Sequence, residues 1–126
     1  MPPFDLAELP RPLPAYFAAL DRRTLTDLFT DDAIVYDEGS TLREPQAIAD
    51  WLKRVETNYR PRYQVVSAQT VGSHSTVSFV VSGSFPGSPL ALRQSFVTRD
   101  GKIERQDRAA GNSVTALSRL GTVLRD

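Results

Sequence analysis

Cysteine is absent from these 126 residues. Disulfides, thiolate nucleophiles and zinc–sulfur sites are therefore excluded. Histidine occurs once, at His74, which rules out a histidine-rich metal centre. An excess of one charge is also missing: 15 Lys and Arg residues balance 15 Asp and Glu residues. A neutral chain exerts no long-range pull on nucleic acid or anionic membrane. No apolar run approaches the ~18 residues that a membrane span needs. The first residues, MPPFDLAELPRPLP, carry neither a basic leader nor an apolar core, so the expected location is cytoplasmic. Neither G-x-G-x-x-G, a P-loop nor a nucleophile elbow is present, and no cofactor or metal is expected.

What remains is the composition of one folded domain, with 40% hydrophobic and 24% charged residues. The expected division is a Pro-rich lead-in over 1–13, a core over about 14–110, and a tail or short helix over 111–126. Pro14 suits the first turn of a helix over 15–20. Arg22-Arg23 reads as a solvated corner. Thr24 is expected to cap a second short helix with Leu25, Leu28 and Phe29 on its apolar face, ended by Asp31-Asp32. Residues 33–36 read as a strand and 38–42 as a loop pivoting on Gly39. Pro45 opens a third helix, with Ile48, Trp51, Leu52 and Val55 on one face.

Four β-rich runs follow, over 63–71, 76–85, 90–98 and 103–110. Their connections are short enough for hairpins, and Asp100-Gly101 is the strongest turn signal among them. Alternation places Val77, Phe79, Val81 and Phe85 on one face. It places Leu92, Gln94 and Phe96 together on the next strand, which makes Gln94 a polar residue among apolar neighbours. On the last strand it groups Ile103, Arg105 and Asp107 opposite Glu104, Gln106 and Arg108. The class is α+β, with three N-terminal helices packed on a strongly curved, mostly antiparallel sheet that closes as a cone.

Asp37 follows the apolar Ala33-Ile34-Val35-Tyr36 and precedes Glu38-Gly39. A carboxylate there must be solvated, paired or held neutral. It is either a general base or a structural carboxylate that caps its loop or pairs with Arg43. Tyr16 either directs its hydroxyl inward from the first helix or is a core tyrosine. Gln94 either contacts a ligand or bridges the sheet. Trp51, Phe79 and Phe96 are candidate apolar walls of a ligand cavity, and Trp51 equally suits helix packing.

FTDDAIVYDEG and SFVTRDGKI resemble the NTF2-like superfamily, in its SnoaL-like polyketide cyclase and ketosteroid isomerase-like branch. The resemblance implies a homodimer and a small apolar ligand. It places Tyr16 at the branch's helix tyrosine, Asp37 at its general base and Gln94 at its partner acid. A neutral amide cannot serve as a protonated acid, which argues against steroid isomerisation itself. The implied activity is a cofactor-independent isomerase, cyclase or dehydratase acting on an apolar carbonyl compound. The alternatives are a non-catalytic ligand-binding domain and a protein-interaction module.

Overall fold

The computed structural model describes residues 4–37 and 40–108, with the side chains of Asp37 and Arg108 outside the description. The expected tail over 111–126 and the Gly39 pivot also lie outside the described residues. A 3-10 turn, Leu6–Glu8, precedes helix α1, Leu13–Ala18. A 3-10 helix, Arg22–Leu28, leads directly into strand β1, Phe29–Asp37. Strand β2 is Ser40–Leu42 and helix α2 is Pro45–Tyr59. The remaining strands are β3, Arg62–Val71; β4, His74–Ser82; β5, Leu90–Arg99; and β6, Lys102–Arg108.

The strands form one six-stranded sheet in the order β2-β1-β6-β5-β4-β3. All pairings are antiparallel except β1 with β6, which is parallel. This corrects the expected fold. The sheet is mixed and open, with β2 and β3 as its edges, and is not a strongly curved cone. Alternation reports which residues share a face; it carries no information about curvature or closure. The helix count changes as well. Among the described residues only α1 and α2 are α-helical, and the expected second helix is a 3-10 segment. Its cap is Asp21, whose carboxylate accepts from the Arg23 N–H at 2.9 Å, while Thr24 turns its hydroxyl back to the Asp21 carbonyl. Phe29 and Asp31-Asp32 already belong to β1.

The apolar face of α2 buries Ile48, Trp51 and Leu52 as its spacing requires. One core joins it to Tyr16, Phe17, Val35, Val77, Phe79, Phe96 and Ile103. The β4 alternation holds from Ser75 to Val81, with every second residue buried. Gly83 lies where β4 meets the end of α2. A Cβ there would stand 2.4 Å from the Tyr59 carbonyl oxygen, so only glycine lets the two backbones meet. Asp100 and Gly101 both take positive φ, +54° and +77°, which is the two-residue hairpin turn their sequence announces.

On β6 the alternation breaks. Thr98 pairs with Ile103 but Val97 pairs with Arg105, so Glu104 is an extra residue, a β-bulge. The bulge shifts the phase of everything after it. Ile103 and Gln106 both face the core, while Arg105 is exposed. The expected grouping of Ile103 with Arg105 and Asp107 is thus overturned, because the bulge restarts the period.

Candidate functional site

Tyr16 is 2% exposed, near the centre of α1. Its ring meets Phe17, Phe29 and Phe96 edge-on, at centroid distances of 5.0, 6.5 and 5.4 Å. Phe17 in turn packs on Phe79 and Phe96. The tyrosine hydroxyl is therefore carried into an aromatic interior, where it must find a partner. That partner is Gln106, whose Nε2 donates to the hydroxyl oxygen at 2.9 Å. The same Nε2 donates to Gln94 Oε1 at 3.3 Å. Gln94 lies diagonally across from Gln106, since Phe96 is the direct register partner of Gln106.

Both hydrogens of the Gln106 amide nitrogen are thus used, yet its Oε1 is buried without a partner. Rotating the amide by half a turn would exchange the two ends and leave the nitrogen edge unpaired instead. In either orientation one edge of a buried amide is unsatisfied, at a cost of about 1–3 kcal/mol. Two other buried polar atoms among the described residues share this condition, Arg22 Nη2 and Trp51 Nε1.

Arg22 is the largest departure from the expected solvated corner. It is 1% exposed. Its guanidinium lies over the rings of Tyr16 and Tyr63, 4.4 and 4.5 Å from their centroids. Nη1 donates to the Tyr16 carbonyl at 2.8 Å, and the backbone N–H donates to Glu56 Oε1 at 2.7 Å. Desolvation of the Tyr63 hydroxyl pushes its ionisation above the usual tyrosine range, against the pull of the Arg22 charge.

The sequence candidates divide as follows. Tyr16 and Gln94 are brought together through Gln106. Phe96 lies against Tyr16, and Phe79 lies one ring further away, against Phe17 and Tyr63. Trp51 is a buried residue of α2 with an unpaired Nε1. The Asp37 backbone pairs with Ser40 at the end of β1, and its side chain is outside the description. Gln106 and Arg22 were missed. Only the bulge turns Gln106 inward, and no pattern in the chain separates Arg22 from Arg23.

Surface depressions among the described residues lie elsewhere. One, of about 120 Å³, is lined by Asp27, Thr30, Pro45 and Lys102 among others. A groove of about 350 Å³ on the other face of the sheet is lined by His74, Ser95, Val97, Arg105 and Asp107. Arg105 also stacks over Tyr36 at 4.9 Å. No cluster of three or more His, Asp or Glu residues suits a metal ion among the described residues. No described helix is long and apolar enough to cross a membrane.

The chain matches a known family model, the SnoaL-like domain, over residues 13–106. The chain belongs to the SnoaL-like family. Its NTF2-like superfamily membership, in the SnoaL-like and ketosteroid isomerase-like branch, follows from the same match. A solved structure of a candidate polyketide cyclase from Sinorhizobium meliloti is 33% identical, covers 82% of this chain and 97% of its own, and superposes with a TM-score of 0.74. A ketosteroid isomerase-like protein from Catenulispora acidiphila, solved with trimethylamine, is 24% identical over 82% of this chain and 86% of its own, at a TM-score of 0.61. A candidate SnoaL-like cyclase from Jannaschia is 12% identical over 82% and 87%, at 0.62. Comparison with curated protein sequences gives no match. SnoaL-like membership is compatible with small-molecule binding or cyclase-type chemistry.

Proposed function

We propose that this SnoaL-like protein binds a small, largely apolar carbonyl compound and moves a proton on it without a cofactor, as an isomerase, cyclase or dehydratase. The observation that supports this reading is the unpaired edge of the Gln106 amide, held beside the Tyr16 hydroxyl in an aromatic interior. An interior built only for stability would use an apolar side chain there. The Tyr16 O–H and Gln94 Nε2 would donate to the carbonyl oxygen of a ligand, Gln106 Oε1 would accept from a hydroxyl or enol of the same ligand, and Phe79, Phe96 and Trp51 would be its apolar surroundings. Asp37 is the proposed base. Its backbone closes β1 two residues beyond Val35, the register partner of Gln106. A cytoplasmic location and a homodimer belong to the same proposal. The dimer would cover the sheet face that carries Ser78, Val80, Ser95 and Val97, each half-buried.

A ketone with exchangeable α-protons tests both parts. 2-Tetralone in deuterated buffer should bind the wild type and exchange its α-protons faster than in buffer alone, read by proton NMR. Tyr16→Phe and Gln106→Leu should weaken binding. Asp37→Asn should keep the fold and the binding and abolish the acceleration. Binding without acceleration would support the non-catalytic alternative, and absence of binding would defeat the reading.

A further inference from the structure

Arg22 is a permanent cation with almost no contact with solvent, and its surroundings do not neutralise it. Among the described residues no carboxylate lies within 4.0 Å of its guanidinium; the ion pairs found there belong to Arg23 and Arg99. Glu56, the acid that touches Arg22, spends an oxygen on the backbone N–H instead. Two tyrosine faces and one carbonyl hold the guanidinium in place, and Nη2 has neither solvent nor acceptor. Stacking on two rings offsets part of the desolvation. An unpaired ion inside a protein still costs several kcal/mol, and a methionine of similar length would avoid that cost. The residue is therefore poorly explained as a stabiliser.

Its position explains it better. The Tyr16 ring that carries the guanidinium on its face is the ring whose hydroxyl meets Gln106. One tyrosine thus links a bare cation to an amide network with an open edge. Two of the three unpaired buried polar atoms, Arg22 Nη2 and Trp51 Nε1, are donors. Among the described residues the unpaired buried atoms include more donors than acceptors, and the buried guanidinium has no carboxylate within 4.0 Å. Tyr63, which covers the other face of the guanidinium, is only half-buried as a residue.

We propose that Arg22 is a specificity-determining residue that pairs with a carboxylate of the ligand, so that the compound bound is an apolar organic acid. This rests on the small-molecule reading above and adds the charge of the ligand to it. Nη2 donates to one carboxylate oxygen, and the ligand supplies the counter-ion that the fold leaves out.

The test compares two probes of one shape, 2-naphthoate and the neutral 2-naphthamide, by calorimetric titration of the full chain at neutral pH. Wild type should prefer 2-naphthoate at least tenfold. Arg22→Met should bind 2-naphthamide as before and lose the preference to within about twofold. On the wild type alone, the guanidinium nitrogen resonances of the buried arginine should shift with 2-naphthoate and not with 2-naphthamide, which keeps the test decisive should Arg22→Met not fold. Equal binding of both probes, or a preference that survives Arg22→Met, would overturn the role of Arg22 and leave small-molecule binding intact. Binding of neither probe would overturn this inference, and the 2-tetralone titration decides separately whether the binding reading falls with it.

Discussion

Arg23 has a side chain 60% exposed and grips Asp21 through Nε and Nη2, whereas Arg22, one residue earlier, is 1% exposed and faces two tyrosine rings and a carbonyl. The exposed pair forms and breaks at little cost, because water replaces either partner. The buried arginine has no such substitute. Its charge left water on folding, and every donor must be met by the protein or by something bound to it. The same residue type at adjacent positions is therefore peripheral in one case and the most demanding group of the interior in the other.

The sharpest way to break this contrast is to dissolve the interior that holds Arg22. Phe96 has no exposed surface and supports the Tyr16 ring edge-on. Phe96→Ala should lower the unfolding free energy by about 3–5 kcal/mol, measured by urea denaturation. A loss below ~1 kcal/mol would mean that the rings around the cation are loosely packed and that Arg22 is not fixed by them.

A smaller effect comes from the bond that anchors the Arg22 backbone. Glu56→Ala leaves a half-buried N–H without its acceptor and should cost about 1–3 kcal/mol. Glu56→Gln keeps an acceptor oxygen and should recover most of that loss. Equal destabilisation by both substitutions would show that the Glu56 charge, and not its hydrogen bond, supports the buried cation.

The least effect belongs to Arg23. Its side chain, with its backbone N–H adding to the effect, holds the Asp21 carboxyl at about 2, below the ordinary 3.8. A carboxylate depressed in the folded state stabilises fully above its unfolded value and loses that contribution as pH falls through the folded one. The contribution of Asp21 is therefore complete above pH 3.8 and declines toward pH 2. Thermal melts of Arg23→Ala should match wild type closely at neutral pH and show a shallower acid loss across that interval. An unchanged acid profile would place the titration in other carboxylates.

Several elements were legible from local chemistry. Asp100-Gly101 declares its turn because few residues other than glycine readily accept the positive φ it requires. Pro45 and the Ile48, Trp51, Leu52 spacing declare α2. The inward phase of Gln94 follows from Leu92 and Phe96 on either side, both of them buried. Gln106 was not legible, because one unpaired residue at Glu104 reverses the faces and leaves no mark in composition. Neither was the open, mixed sheet, since the parallel β1–β6 pairing joins strands from opposite ends of the described chain.

By itself the sequence determined much of what is local or periodic: helices α1 and α2, the four later strand runs, the Asp100-Gly101 turn, the apolar faces of α2 and β4, the absence of thiol chemistry, and the resemblance that the family match then confirmed. The tertiary structure alone decided the sheet's openness, the phase of β6 after its bulge, the meeting of Tyr16 with Gln106, and which of two adjacent arginines is buried. The reason is physical. Dihedral preference and hydrophobic period act over a few residues, whereas burial of a charge depends on groups such as Tyr63 and Glu56 that are distant in sequence and come together only when the chain has folded.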